Sequence, residues 1–176
     1  MVMDEDRIYG FGRLNQYDHV GSHVGLGTTH YLLYAADRSD YGNVLKASDK
    51  KRLPWSARKP DLPTQWQSKI GLLAQGLVLS EKCLFVVGPP DLFGVASGKT
   101  PHPYSPASAD SLRSQRAALD GDAGMLLCAV SVADGKKLFE IKLDGLPAWD
   151  GLIAAQSRLY LTTKSGTVHC VRTICD

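Results

Sequence analysis

The chain has 176 residues, of which 44% are hydrophobic and 22% charged, with a formal charge of +2. That length carries one domain with a sizeable core, and such ordinary composition excludes a disordered, collagenous or coiled-coil chain. The basic residues are scattered, so no nucleic acid partner is expected, and the longest apolar runs, 84–87 and 125–130, are far below the roughly 18 residues of a membrane-spanning helix.

The chain opens Met1-Val2-Met3 and turns acidic at once with Asp4, Glu5 and Asp6. No signal peptide is expected here, because the basic and apolar regions of a leader are both missing. Val2 and Met3 then read as a short strand, Glu5 as part of a polar turn, and Ile8-Tyr9 as the aliphatic-aromatic pair of a second strand. Leu32 to Asp37 fills a third strand, and Leu53-Pro54-Trp55-Ser56-Ala57 is expected to begin a fourth.

The same order returns twice. Val78, Glu81, Leu84, Phe85 and Gly88 fall on Val2, Glu5, Ile8, Tyr9 and Gly12 after a shift of 76, and Gly76-Leu77 and Leu84-Phe85 fall on Gly151-Leu152 and Leu159-Tyr160 after a shift of 75. After the second copy, residues 124–132 and 138–143 read as strands joined by Asp134-Gly135, a pair that supplies the positive φ of a tight hairpin. A shift of 42 carries Gly124, Cys128 and Asp134 onto Gly166, Cys170 and Asp176, so the third copy stops inside its hairpin.

Four antiparallel strands in tandem predict an all-β fold, a β-propeller whose blades pack face to face. Middle strands of such blades are covered on both faces, which accounts for apolar runs that do not alternate. At about 40 to 50 residues per blade, the chain holds about three blades of a partial propeller. The expected boundaries are 1–58 with an insertion at 13–29, 70–143 with an insertion at 89–123, and an incomplete third blade at 149–176. The insertions share one face, where a protein, glycan or small-ligand partner would bind, and 108–119 is expected to form a short helix.

The residues Ala129, Ser131, Asp134, Gly135 and Phe139 keep the spacing of A-x-D-x-x-T-G-x-x-x-W. This resembles the docking motif of PQQ-like, quinoprotein-dehydrogenase-like propeller repeats; Ala35, Asp37 and, after an insertion, Trp55 resemble it again, and Val171, Thr173 and Asp176 begin a third. The resemblance implies that the small residue packs on the neighbouring blade, the glycine turns the hairpin and the aromatic docks between blades. It further implies the C-terminal portion of a bacterial propeller, secreted, periplasmic or envelope-associated, whose remaining blades are its partners.

Enzymes of this family hold PQQ and calcium with adjacent cysteines, a Trp floor and acidic ligands. Cys83, Cys128, Cys170 and Cys175 include no adjacent pair and no C-x-x-C, and read as buried small hydrophobes. No catalytic residue and no cofactor is therefore expected, and a noncatalytic binding module is favoured over a fragment of a quinone-dependent dehydrogenase with ligands in other blades. Gln75 and Asp150 precede the first strands of successive blades and, with Trp149, are the candidate ligand residues at the axial channel. His19, His23 and His30 are weak metal candidates in a glycine-rich stretch, where nothing orients them.

Overall fold

Strong turn signals and short β-branched or aromatic runs give short strands joined mostly by tight hairpins. The computed structural model describes residues 1–12, 31–39, 64–92 and 106–172. Among them are three antiparallel sheets, each a meander in chain order, none closing into a barrel. The first comprises β1 (Val2–Met3), β2 (Arg7–Gly12), β3 (Leu32–Asp37) and β4 (Thr64–Ser68). The second comprises β5 (Gly76–Leu79), β6 (Cys83–Gly88), β7 (Met125–Ser131) and β8 (Lys137–Leu143), and the third β9 (Pro147–Ala155), β10 (Arg158–Thr163) and β11 (Val168–Arg172).

The repeat in the sequence is a repeat of register. Val2 stands opposite Tyr9, Val78 opposite Phe85, and Ile153 opposite Tyr160, the same pairs that the shifts of 76 and 75 superimpose. Identical pairing puts the aliphatic-aromatic residues of each second strand on equivalent faces, and the sheets stack in series. Tyr9, Leu33, Ala35 and Trp66 of the first sheet bury against Leu84, Val86, Cys128 and Val130 of the second. On the opposite face, Cys83, Phe85, Val87 and Leu127 bury against Leu152, Leu159 and Leu161 of the third.

Every residue of β6 is consequently buried, alternate side chains entering different cores. Full burial of a side chain such as Phe85 contributes about 1.5–3 kcal/mol, so the middle sheet draws stability from both sides. The first strands of the three sheets also lie side by side, β1 against β5 and β5 against β9.

The fourth strand of the first sheet differs from expectation. Residues 53–57 and Trp55 lie outside the described residues, and the strand paired with β3 is Thr64–Ser68, beyond the expected boundary at 58. Trp66, not a residue near position 55, stands opposite Ala35. Its polar neighbours Gln65 and Gln67 disguise the strand, which has one buried position.

The insertion at 89–123 does carry the expected helix, α1 (Pro106–Asp120). It docks through Gln115, whose Oε1 accepts from Leu92 N at 2.7 Å and whose Nε2 donates to Pro90 O at 3.1 Å. The helix ends at Gly121, with φ 113°; Gly121 N donates to Ala118 O and Asp122 N to Ala117 O, a pattern that satisfies the last carbonyls. Among the described residues no helix is long and apolar enough to cross a membrane.

Candidate functional site

The residues singled out in the sequence divide between the two junctions: Ala35 and Gly135 lie at the first, and Ala129 and Phe139 at the second. β7 and β8 are joined by a hairpin in which Ser131 N donates to Lys136 O and Gly135 N to Ser131 O, each at 2.9 Å. Gly135 takes φ 72°, and an added Cβ would overlap the Trp66 ring, so both the turn and the approach of the indole require glycine. Trp66 Nε1 donates to Val132 O at 3.0 Å, and Arg7 Nη1 donates to the same carbonyl at 3.2 Å. Trp66 is thereby 9% exposed, with its ring 6.1 Å from that of Tyr9.

The polar members of the motif hold turns. Asp37 Oδ1 accepts from Ser39 N at 2.8 Å and Ser39 Oγ at 2.6 Å. The Lys136 ammonium, 2.7 Å away, together with Ser131 and the Lys136 N–H, holds the Asp134 carboxyl at about 2. Ala129 is fully buried opposite Phe139, which is half-buried and packs on Phe85 with ring centroids 6.3 Å apart.

Gln75 and Asp150 are brought together where β5 meets β9. Asp150 N donates to Gln75 O at 3.0 Å, and Gln75 N donates to Val87 O at 2.8 Å. The register between β9 and β10 jumps from Leu152↔Leu161 to Pro147↔Thr163, which bulges the intervening residues out of the ladder and lets Asp150 take φ 54°. The bulge leaves Trp149 72% exposed. Gln75 Oε1 is buried without a hydrogen-bond partner among the described residues. The structure places Trp149 and Asp150 within β9 instead of before it, so an exposed ring and a carboxylate share its bulge, while Gln75 stands just before β5.

The sequence did not point to a concavity of about 530 Å³ lined by turns of all three sheets. Asp4, Ser80, Glu81, Gln156, Ser157 and Arg158 contribute to it. Its signal was the repeat itself, because equal shifts superimpose the three turns. Burial pushes the Asp4 carboxyl up, but Arg7 N at 2.6 Å, Tyr9 Oη at 2.9 Å and Asp6 N at 3.0 Å donate to it and hold it below the ordinary carboxylate value. Asp4 is thus committed to its own turn.

His19, His23 and His30 lie outside the described residues, as do Thr173 and Asp176. Among the described residues no group of three His, Cys, Asp or Glu side chains is placed to hold a metal ion. Cys83 and Cys128 are buried as expected of small hydrophobes, but Cys170 is exposed, and Cys83 is disulfide-bonded. The Cys128 thiol, pushed up to about 12 by burial and by Glu140 Oε2 at 3.3 Å, is unreactive.

No protein-family model matches the chain, and no curated protein sequence matches it.

Proposed function

We propose that the chain forms consecutive blades of a PQQ-like β-propeller and serves as a noncatalytic binding module of a secreted or cell-envelope bacterial protein. The observation that carries the blade reading is the docking of Trp66 on the next sheet's hairpin, on Gly135 and with its N–H on Val132 O. It supports the role that the motif's resemblance implies for the aromatic and the glycine. The serial stacking, with β1, β5 and β9 side by side, supports the same reading, since inner strands of neighbouring blades meet around an axis.

The ligand face is the one that carries α1, the start of β5 beside Gln75 and the bulge of β9 at Asp150. Trp149 offers an uncovered ring against which the apolar face of a sugar can stack, and the adjacent, exposed Asp150 offers a carboxylate for its hydroxyls. A glycan is therefore the ligand class this face fits best. The test is a glycan array probed with the purified chain and with Trp149→Ala. Binding by the parent chain that falls at least tenfold in the variant supports the reading. An array without signal, or binding indifferent to the substitution, removes Trp149 from the site. Stability is expected to change by under about 0.5 kcal/mol, because the ring is exposed.

A further inference from the structure

We propose that the concavity at the turns of the three sheets binds a small zwitterion, a molecule with an ammonium and a carboxylate, such as a free α-amino acid or a short peptide. The site lies at the ends of the inner strands away from Gln75. β5 begins beside Gln75 and ends at Leu79, and the turn that follows, with Ser80 and Glu81, lines the concavity. Its volume of about 530 Å³ falls among pockets for small molecules, which run to about 300–1,000 Å³.

Two groups of opposite charge line it, Glu81 from the turn between β5 and β6 and Arg158 at the start of β10. Ala155 and Arg158 stand opposite each other across the hairpin of β9 and β10, so they share one face of that ladder, and both line the concavity. Among the described residues neither Glu81 nor Arg158 forms an ion pair or a side-chain hydrogen bond, with the other or with a third group. Asp4, the second carboxylate of the lining, is already engaged, since it accepts from Arg7 N, Asp6 N and Tyr9 Oη.

Opposite charges that share a recess without touching leave room between them. A simple cation would be drawn to Glu81 and repelled by Arg158, and a simple anion the reverse, whereas a ligand with both charges satisfies both. The planar guanidinium takes a carboxylate through two parallel hydrogen bonds, and the Glu81 carboxylate accepts from an ammonium.

The rest of the lining suits the body of such a ligand. Phe85, which is 1% exposed, and Leu79 give an apolar patch for a short side chain, and the Ser80 and Ser157 hydroxyls can donate or accept beside it. The turn that leads into Arg158 is held in an uncommon form. Gln156 and Ser157 take φ 51° and 54°, two consecutive left-handed residues of the kind a type I′ hairpin requires, where glycine or asparagine would be less strained. That tight closure sets Ala155 directly against Arg158 and fixes where the guanidinium starts. The inference does not use the propeller or glycan readings, and Trp149 lies toward the other end of β9.

The test is isothermal titration calorimetry of the full chain with L-leucine and with leucyl-leucine, set against leucinamide, which lacks the carboxylate, and isocaproate, which lacks the ammonium. The expected result is millimolar or tighter binding of at least one zwitterion, with affinity lower by roughly tenfold or more for both singly charged analogues and in Glu81→Gln and Arg158→Gln. Leucine and the dipeptide distinguish a free amino acid from a peptide, and binding of either supports the proposal. Absence of binding by both at millimolar concentration, analogues that bind as tightly, or variants that bind as the parent does overturn it. Both side chains are exposed, so thermal melts of the two variants should superimpose on the parent's; should one melt lower, the analogue series on the parent decides. Trp149→Ala should bind the zwitterion as the parent does, which separates this site from the glycan face, and a loss there would overturn the placement.

Discussion

The two junctions between sheets use the same repeat position in different ways. At the first, Trp66 stands opposite Ala35, lies on Gly135 and donates to Val132 O, a carbonyl that also receives Arg7. At the second, Phe139 stands opposite Ala129 and has only a ring to offer, packed on Phe85. The polar tie there has moved to the inner strands, where Asp150 N meets Gln75 O. An aromatic between sheets therefore supplies area in both cases, but fixes orientation only where it carries a donor.

Substitutions can break this contrast. Trp66→Ala is expected to cost about 3–5 kcal/mol in urea unfolding, as truncation of a buried aromatic does, and Trp66→Phe about 1–2 kcal/mol, for the lost hydrogen bond and part of the ring. A cost near zero for Trp66→Phe would mean that the donor contributes nothing. Phe139→Ala is expected to cost less than Trp66→Ala, about 2–3 kcal/mol, because the ring is half-buried. A loss as large as that at Trp66 would make the two junctions equivalent.

Smaller effects sharpen the picture. Asp4→Asn is expected to cost about 1 kcal/mol at pH 7, an amount that allows for partial exposure of the carboxylate. The folded carboxyl titrates below the ordinary 3.8, so its stabilisation is fully present above that pH and is lost as the pH falls through the lower folded value. The difference from the parent should close as the pH falls below 3.8 in acid titrations followed by circular dichroism; a gap constant with pH would assign the cost to shape instead of charge. Iodoacetamide at pH 8 should label Cys170 in the native chain and reach Cys128 only on unfolding, as read by mass; prompt native labelling of Cys128 would contradict its burial and raised pKa.

Much of the fold was legible because the repeat fixes register. Once Val78 and Phe85 are recognised as copies of Val2 and Tyr9, the hairpins follow, and the unbroken apolar run at 84–87 already calls for a sheet covered on both faces. Trp66 was missed for a physical reason. Its pairing with Ala35 is a contact across a long connection, whose length the sequence does not count, and Thr64–Ser68 buries a single side chain. Leu53 and Trp55 look more like a strand by composition alone.

The candidate ligand residues were legible as positions and not as an arrangement. Equivalent places in the repeat brought Gln75 and Asp150 to attention, but β9 starts earlier, at Pro147, and the bulge that exposes Trp149 depends on how β9 pairs with β10, which no local pattern encodes. The concavity lined by Asp4, Glu81 and Arg158 lies further from view, since each turn contributes only ordinary polar residues and the cavity exists only after the sheets stack.

Serial stacking has a mechanical corollary. Among the described residues the two cores join each sheet to its immediate neighbour, so a disturbance in one sheet passes first to the sheet packed on it, as in a short row of coupled units. The middle unit, gripped from two sides, is expected to open last. New loops can accordingly be grafted onto an outer unit, and tolerated there, at sites where the same change in the centre would unravel the row.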